Sequence, residues 1–75
     1  MTLLDISFRY NLPPGEAEMR ALNAAREVYG IRAIRISEKE RIVGVEFDAS
    51  RLSDEQVESL LRRAGVDIEA RIALA

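Results

Sequence analysis

The 75-residue chain has no cysteine and no histidine. The absence of cysteine excludes disulfide bonds, and the absence of both residue types removes the usual soft and borderline ligands for copper and zinc. It also removes the side chains that most often form a nucleophile and its base. We therefore expect a non-catalytic protein with no cofactor, in which one apolar core supplies a stability of about 3–5 kcal/mol.

A surplus of positive charge is also lacking, since 11 Lys and Arg residues face 13 Asp and Glu residues, for a net charge of −2. Proteins that coat nucleic acid or an anionic membrane need such a surplus, so neither is an expected partner. No apolar run reaches the length of a membrane span. The stretch Met1 to Asp5 has neither the basic region nor the apolar run of a signal peptide. A single cytoplasmic domain over residues 1–75 is the expectation.

The first half of the chain predicts a strand, a helix and a second strand. Four apolar residues alternate with polar ones, as in a half-buried strand: Leu4, Ile6, Phe8 and Tyr10. The run Pro13-Pro14-Gly15 ends this strand, because proline supplies no donor to a sheet. A helix with an apolar stripe is expected next, built from Ala21, Leu22, Ala25, Val28 and Tyr29. Gly30 is the expected left-handed residue at its end, and the β-branched stretch from Ile31 to Ile36 predicts the second strand.

The second half repeats the strand–helix–strand order. Residues 42–47 predict a third strand, which forms an antiparallel hairpin with the second across a charged turn. Ser53 and Gln56 have the spacing of a capping box at the start of a second helix, and Gly65 is expected to end that helix. A fourth strand is predicted from residues that alternate with charged ones: Ile68, Ala70, Ile72 and Leu74.

This order of elements predicts an α+β fold, the ferredoxin-like βαββαβ sandwich, with a four-stranded antiparallel sheet and two helices on one face. The other face is left to solvent or to a partner, and its expected residues include Arg9, Ile42, Gly44 and Glu46. The fourth strand is expected at an edge of the sheet. An apolar edge can pair with another chain, so a homodimer through this strand remains an alternative to a solvated edge.

Several segments resemble the heavy-metal-associated (HMA) domains of metallochaperones and transport ATPases. The segment Gly30 to Ile36 is similar to that family's Gly-Val-x-x-Val-x-Val, and Val45 to Asp48 is similar to its Val-x-Tyr-Asp. Ala64-Gly65-Val66 resembles the Ala-Gly-Tyr that follows the family's second helix. The resemblance runs from about residue 30 to residue 68 and implies the ferredoxin-like fold.

The metal loop of that family, Gly-Met-x-Cys-x-x-Cys, lies between the first strand and the first helix. Leu12 stands where the resemblance implies a buried Met, and Pro14 and Ala17 stand where it implies the two Cys, with a shift of one residue left open. Two thiolates bind Cu(I) because the soft ion prefers sulfur, so the metal-transfer function is not carried over. Met19, Glu16 and Glu18 are weak candidate ligands. A packing role for Met19 and a helix-dipole role for the two carboxylates are the favoured interpretations.

The favoured hypothesis is therefore a protein-interaction or regulatory module, related to HMA domains, that has lost its metal site and binds an unidentified protein partner. One alternative is weak metal binding, or an accessory role in metal transport, through ligands other than cysteine. Another is RNA binding, because the segment from Phe8 to Pro14 resembles the first-strand motif of RNA-recognition motifs, and Val45-Glu46-Phe47 resembles the end of their third-strand motif. Positions 42 and 44, where that resemblance implies stacking aromatic residues, hold Ile and Gly.

Overall fold

A computed structural model describes residues 2–74 of the chain, with side chains through residue 73. The domain predicted over residues 1–75 includes Met1, Ala75 and the side chain of Leu74. These three lie outside the described residues. Six elements follow one another: β1 (Leu3–Tyr10), α1 (Glu16–Ala25), β2 (Ile31–Ser37), β3 (Ile42–Asp48), α2 (Asp54–Arg63) and β4 (Ile68–Leu74). This βαββαβ order is the one that the sequence predicts.

The four strands form one antiparallel sheet in the order β2-β3-β1-β4, so β2 and β4 are the edges. The predicted ferredoxin-like α+β fold and the predicted hairpin of β2 and β3 are confirmed. Along residues 2–74, neither helix has the length and apolarity needed to cross a bilayer.

The core lies between one face of the sheet and the two helices. Its largest fully buried side chains come from the two central strands and from both helices: Ile6, Phe8, Tyr10, Leu22, Val43, Val45, Phe47, Val57 and Leu61. Both helices pack on the same face because each presents its apolar stripe to the alternate, inward-pointing residues of β1 and β3. Within residues 2–74 no element covers the opposite face of the sheet.

The second helix begins and ends as its sequence predicts. The Ser53 hydroxyl accepts the Gln56 amide at 3.1 Å, while Gln56 Oε1 accepts the Ser53 amide at 2.8 Å, which is a reciprocal capping box. At the other end Gly65 has φ of +98°, and the amide of Val66 reaches back to the carbonyl of Leu61 at 3.1 Å. This is the Schellman arrangement, which glycine adopts without a Cβ penalty.

The first helix ends earlier than its apolar stripe predicts. It stops at Ala25, and Val28 and Tyr29 lie in the following turns, where Tyr29 is 71% exposed. Beyond Ala25 tighter hydrogen bonds replace the helical ones, such as that from the Val28 amide to the Ala25 carbonyl at 3.0 Å. Gly30 has the predicted positive φ, +104°, but it leads into β2 and does not cap the helix. Its carbonyl accepts the Asp48 amide at 2.7 Å, which ties this turn to the end of β3.

The predicted alternation of β4 is wrong beyond Ile68. Two register shifts relative to β1 insert an extra residue each, and every shift moves the next side chain to the other face. Arg71 therefore stands opposite the buried Phe8 on the helix side, where it forms ion pairs with Asp54 and Glu58 of α2. Ile72, expected on the buried face, is 43% exposed.

Candidate functional site

The loop between β1 and α1 does not reproduce the packing that the HMA resemblance implies. Leu12 is 68% exposed, so it does not occupy the buried place of the family's methionine. Pro14 is half-buried, and Ala17 lies exposed in the first turn of α1. The backbone instead continues the sheet, since the Asn11 amide donates to the Asp67 carbonyl at 3.0 Å.

The three candidate ligands beside this loop have separate local roles. Glu16 forms an exposed ion pair with Arg20 at 2.6 Å, and Glu18 Oε1 accepts the Gly15 amide at 2.8 Å as part of the helix cap. Met19 is 37% exposed on α1. Within residues 2–74 no group of three or more Asp, Glu, His or Cys side chains converges in a way that could hold a metal ion. The arrangement gives no support to weak metal binding at this loop.

Asp48, at the end of β3, is a buried carboxylate with a structural role. Its Oδ1 accepts three hydrogen bonds, from the Ser50 hydroxyl at 2.7 Å, the Ser50 amide at 3.0 Å and the Thr2 amide at 3.1 Å. These bonds, with the Ser50 hydroxyl first, lower the pKa of Asp48 to about 2. A carboxylate held ionised in this way joins the start of β1 to the loop after β3 and is a poor general acid or base near neutral pH.

Asp54, in the first turn of α2, is engaged in a similar manner. The Arg71 guanidinium donates to it at 2.6 Å and lowers the pKa of its carboxyl. Neither carboxylate has the raised pKa of a catalytic acid. Asp48 and Asp54 therefore do not form a general acid–base pair.

A cleft of about 330 Å³ lies beside Asp48, between the turns after α1, the start of β2 and the loop before α2. Its lining includes Arg26, Tyr29, Gly30, Arg32, Asp48 and Arg51, and we call it the arginine cleft. It lies at the opposite end of the sheet from the β1–α1 loop, because β1 starts opposite Asp48 and ends at Tyr10 just before that loop. Three basic and two acidic residues line it, a slight excess of positive charge on a chain that is acidic as a whole.

The uncovered face of the sheet, which we call the open face, follows directly from the strand register. Cross-strand neighbours share a face, so Arg35, Gly44, Ser7 and Ala73 form one row across all four strands. The neighbouring row is Ser37, Ile42, Arg9 and Ala70, and the third comprises Ala33, Glu46 and Asp5. The four predicted residues Arg9, Ile42, Gly44 and Glu46 are thus confirmed on this face.

Small and paired groups occupy the centre of the open face. Arg35 reaches diagonally past Gly44 to Asp5, with 2.5 Å between Nη2 and Oδ2. This ion pair neutralises two charges and covers Gly44, which is buried although it belongs to the open face. A shallow depression of about 290 Å³ beside it is lined by side chains that include Ser7, Ser37 and Ile42.

Both edges of the sheet are interrupted. The Arg26 guanidinium donates to the backbone carbonyl of Ile34 in β2 at 2.9 Å, and the pairing of β2 with β3 shifts register between Ile31 and Ala33. The other edge, β4, carries two register shifts. Bulges and cationic side chains are features that oppose strand addition at an edge. These features oppose the strand addition that the predicted homodimer through β4 would need.

The aromatic residues do not form a base-stacking platform. Phe8, Tyr10 and Phe47, which carry the resemblance to RNA-recognition motifs, are at most 1% exposed and lie in the core. Tyr29 is the remaining aromatic residue of the chain, and it lies at the arginine cleft. Because single-stranded RNA is recognised by stacking on exposed aromatic side chains, the sheet lacks the groups that this mechanism needs.

The sequence pattern does not reveal the arginine cleft. Tyr29 continues the apolar stripe predicted for the first helix, and Arg26 and Arg51 belong to no periodic pattern. One local signal was available at Asp48, because an Asp two residues before a Ser is typical of a side chain that bonds the backbone ahead of it.

The comparisons with known proteins add no relative. No protein-family model matches the chain, and no curated protein is significantly similar to it. The class that the fold itself defines is a ferredoxin-like α+β domain.

Proposed function

We propose that this domain is a non-catalytic interaction module, related to HMA domains but without their metal site, that binds another protein through its open face. The observation that carries the proposal is the sheet itself. Helices cover one face, and the other carries three cross-strand rows of residues, of which Gly44 is covered by the Asp5–Arg35 ion pair.

The composition of the open face supports a protein partner. Alanine, serine, glycine and isoleucine line its centre, and its four charged residues are two acidic and two basic. A flat surface with small central side chains and balanced charge resembles an ordinary protein interface more than a nucleic-acid interface. Asp5 and Glu46 lie at one end of the face and Arg9 at the other, so a partner with the opposite polarity is favoured in one orientation.

The residues of the β1–α1 loop support the proposal that metal binding has been lost. The positions that the resemblance assigns to the two thiolates hold Pro14 and Ala17, and neither side chain can donate to a metal. Glu16 and Glu18 are committed to an ion pair and a helix cap. Interaction through the sheet is the function that these observations leave best supported.

The test is quantitative affinity capture with matched variants. Ser7→Arg adds a long cation to the middle of the open face, and Ala24→Arg adds the same charge to an exposed site on α1. We expect at least one protein retained by the native domain and by Ala24→Arg to be lost with Ser7→Arg. Circular dichroism establishes that all three are folded. Equal recovery on all three would contradict the proposal.

A further inference from the structure

The arginine cleft is a second surface, distinct from the open face, and it combines cations with an exposed aromatic ring. Arg26, Arg32 and Arg51 line it from three separate segments, against the two acidic residues Glu27 and Asp48. Asp48 stays ionised, and its Oδ1 is saturated by three hydrogen bonds. The charged residues of the lining, three Arg against Glu27 and Asp48, therefore sum to +1 on a chain whose net charge is −2.

Arg51 is held in a fixed orientation. Its guanidinium carbon lies 4.3 Å from the centroid of the Tyr29 ring, and its Nε lies 3.5 Å from Asp48 Oδ2. A cation stacked on an aromatic face keeps its planar fork in place at a low cost in entropy. The Nη groups of Arg51 make no hydrogen bond to any described residue, and its side chain is 49% exposed. Both Nη groups can donate to an oxyanion without losing an existing hydrogen bond.

The rest of the cleft is also preorganised. Arg26 is anchored, with Nη1 on the Asn23 side chain and Nη2 on the Ile34 carbonyl. Gly30 takes a positive φ that brings the turn against the end of β3, and a Cβ there would lie 3.0 Å from the Leu52 side chain. The cleft thus keeps its shape without a ligand, which reduces the entropic cost of binding.

We propose that the arginine cleft binds an acidic peptide segment of a partner protein, with Arg51 donating both Nη groups to one carboxylate and Tyr29 packing against the peptide chain. Arginine forks match carboxylates in a bidentate geometry, and clusters of arginine recognise acidic motifs. RNA fits less well, because its recognition relies on stacking of successive bases on exposed aromatic side chains, and the lining of this cleft supplies Tyr29 alone. This inference goes beyond the open-face function and does not depend on it.

The experiment is an amide chemical-shift titration of the full chain with N-acetylated, C-amidated hexaglutamate. We expect saturable shifts confined to residues 26–32 and 48–51, absent with hexaglutamine, and weaker binding in about 0.15 M salt, where the screening length is about 8 Å. Arg51→Gln should weaken binding about tenfold, as the loss of a charge-assisted pair predicts. Arg63→Gln, which removes the same charge from an exposed site on α2, should leave binding unchanged.

A second variant, Tyr29→Ala, tests the cleft without removing the ion pair between Arg51 and Asp48. Tyr29 is 71% exposed, so Tyr29→Ala should stay folded, retain every charge and still weaken binding several-fold. Equal effects of Arg51→Gln and Arg63→Gln, or shifts spread over the whole surface, would overturn the site. Tighter binding of hexauridylate than of hexaglutamate in the same cleft would overturn the peptide assignment. None of these results bears on Ser7→Arg, so failure here is distinguishable from failure of the open face.

Discussion

At the scale of single residues, Asp48 does the most to join distant parts of the chain. Its carboxylate accepts from Thr2 and Ser50, its amide donates to the Gly30 carbonyl, and Arg51 lies beside it. Asp48 therefore connects the start of β1, the turn before β2 and the loop before α2. The same contacts position Arg51 over Tyr29, so a residue with a structural role also shapes the arginine cleft.

The contribution of Asp48 to stability should depend on pH. Its pKa in the folded chain is about 2, below the value of about 3.9 for an unperturbed aspartate. Ionisation is thus favoured by folding. The resulting stability is fully present above the unfolded pKa and is lost as the pH falls through the folded pKa. We expect Asp48→Asn to lower the melting temperature by several degrees at pH 7, with the difference from the native chain shrinking between about pH 4 and pH 2.

Thermal unfolding followed by circular dichroism at a series of pH values measures this difference. Asp67→Asn, at an exposed aspartate, is the matched control and should change the melting temperature little. A gap between the native chain and Asp48→Asn that is the same at pH 2 and pH 7 would contradict the assignment of a stabilising carboxylate.

At the scale of elements, the sequence predicts some ends of helices and strands correctly and others incorrectly, depending on whether the contacts at those ends are local. The second helix was predictable to its caps because Ser53, Gln56 and Gly65 act through contacts within a few residues. The first helix was not. Val28 and Tyr29 continue its apolar period, but the tie from Gly30 to Asp48 of β3 is a long-range contact that no local pattern encodes. The same holds for Arg71, which the register shifts of β4 turn toward α2.

Alanine substitutions at Gly65 and Gly44 should have different effects on stability, because only Gly65 has a backbone conformation that strains an alanine. Gly65 has φ of +98°, and a Cβ there would lie 2.9 Å from Glu18 Cγ. Gly44 shows no such φ, and a Cβ there would meet its neighbours at 3.6–3.8 Å, an ordinary contact. We expect Gly65→Ala to reduce the free energy of unfolding by about 1–2 kcal/mol, the cost of a left-handed alanine. Gly44→Ala should be neutral or slightly stabilising.

Urea unfolding of both glycine variants tests this contrast. A Gly65→Ala chain as stable as Gly44→Ala would mean that the end of α2 relaxes without the left-handed residue, which would contradict the Schellman geometry described here.

The β1–α1 loop has the place of the metal loop in the HMA resemblance but lacks the thiolate ligands of that loop. Its candidate ligands are an exposed thioether and two carboxylates already bound to Arg20 and Gly15. In an anaerobic titration of labelled protein with Cu(I) and then Zn(II), we expect no amide shift over residues 12–19 at millimolar metal. Shifts there at micromolar metal would contradict the loss of the site and would make Met19→Leu the first variant to test.

At the scale of the whole molecule, the fold follows from placing every apolar stripe on one side of a single sheet. The two central strands alternate strictly enough for the sequence to predict which residues face solvent, and Arg9, Ile42, Gly44 and Glu46 are where that alternation places them. The sequence could not predict what the open face presents at its centre. The diagonal Asp5–Arg35 pair and the buried state of Gly44 arise from the three-dimensional register.

The two proposed surfaces have different chemistry. The charges of the open face are balanced, whereas the arginine cleft is concave and lined by three arginines and two acidic residues. The proposed function requires that a protein partner contact the open face.

Site-specific photo-crosslinking tests whether a protein contacts the open face. A photoreactive benzophenone side chain replaces Ala70, an exposed open-face residue on the edge strand β4, or, as the matched control, Ala24 on α1, and the protein is irradiated in the cells in which it is naturally made. We expect a discrete heavier protein adduct from position 70 and none from position 24. An adduct of twice the chain's mass would make the partner a second copy. No adduct from position 70, or the same adducts from both positions, would contradict contact through the open face.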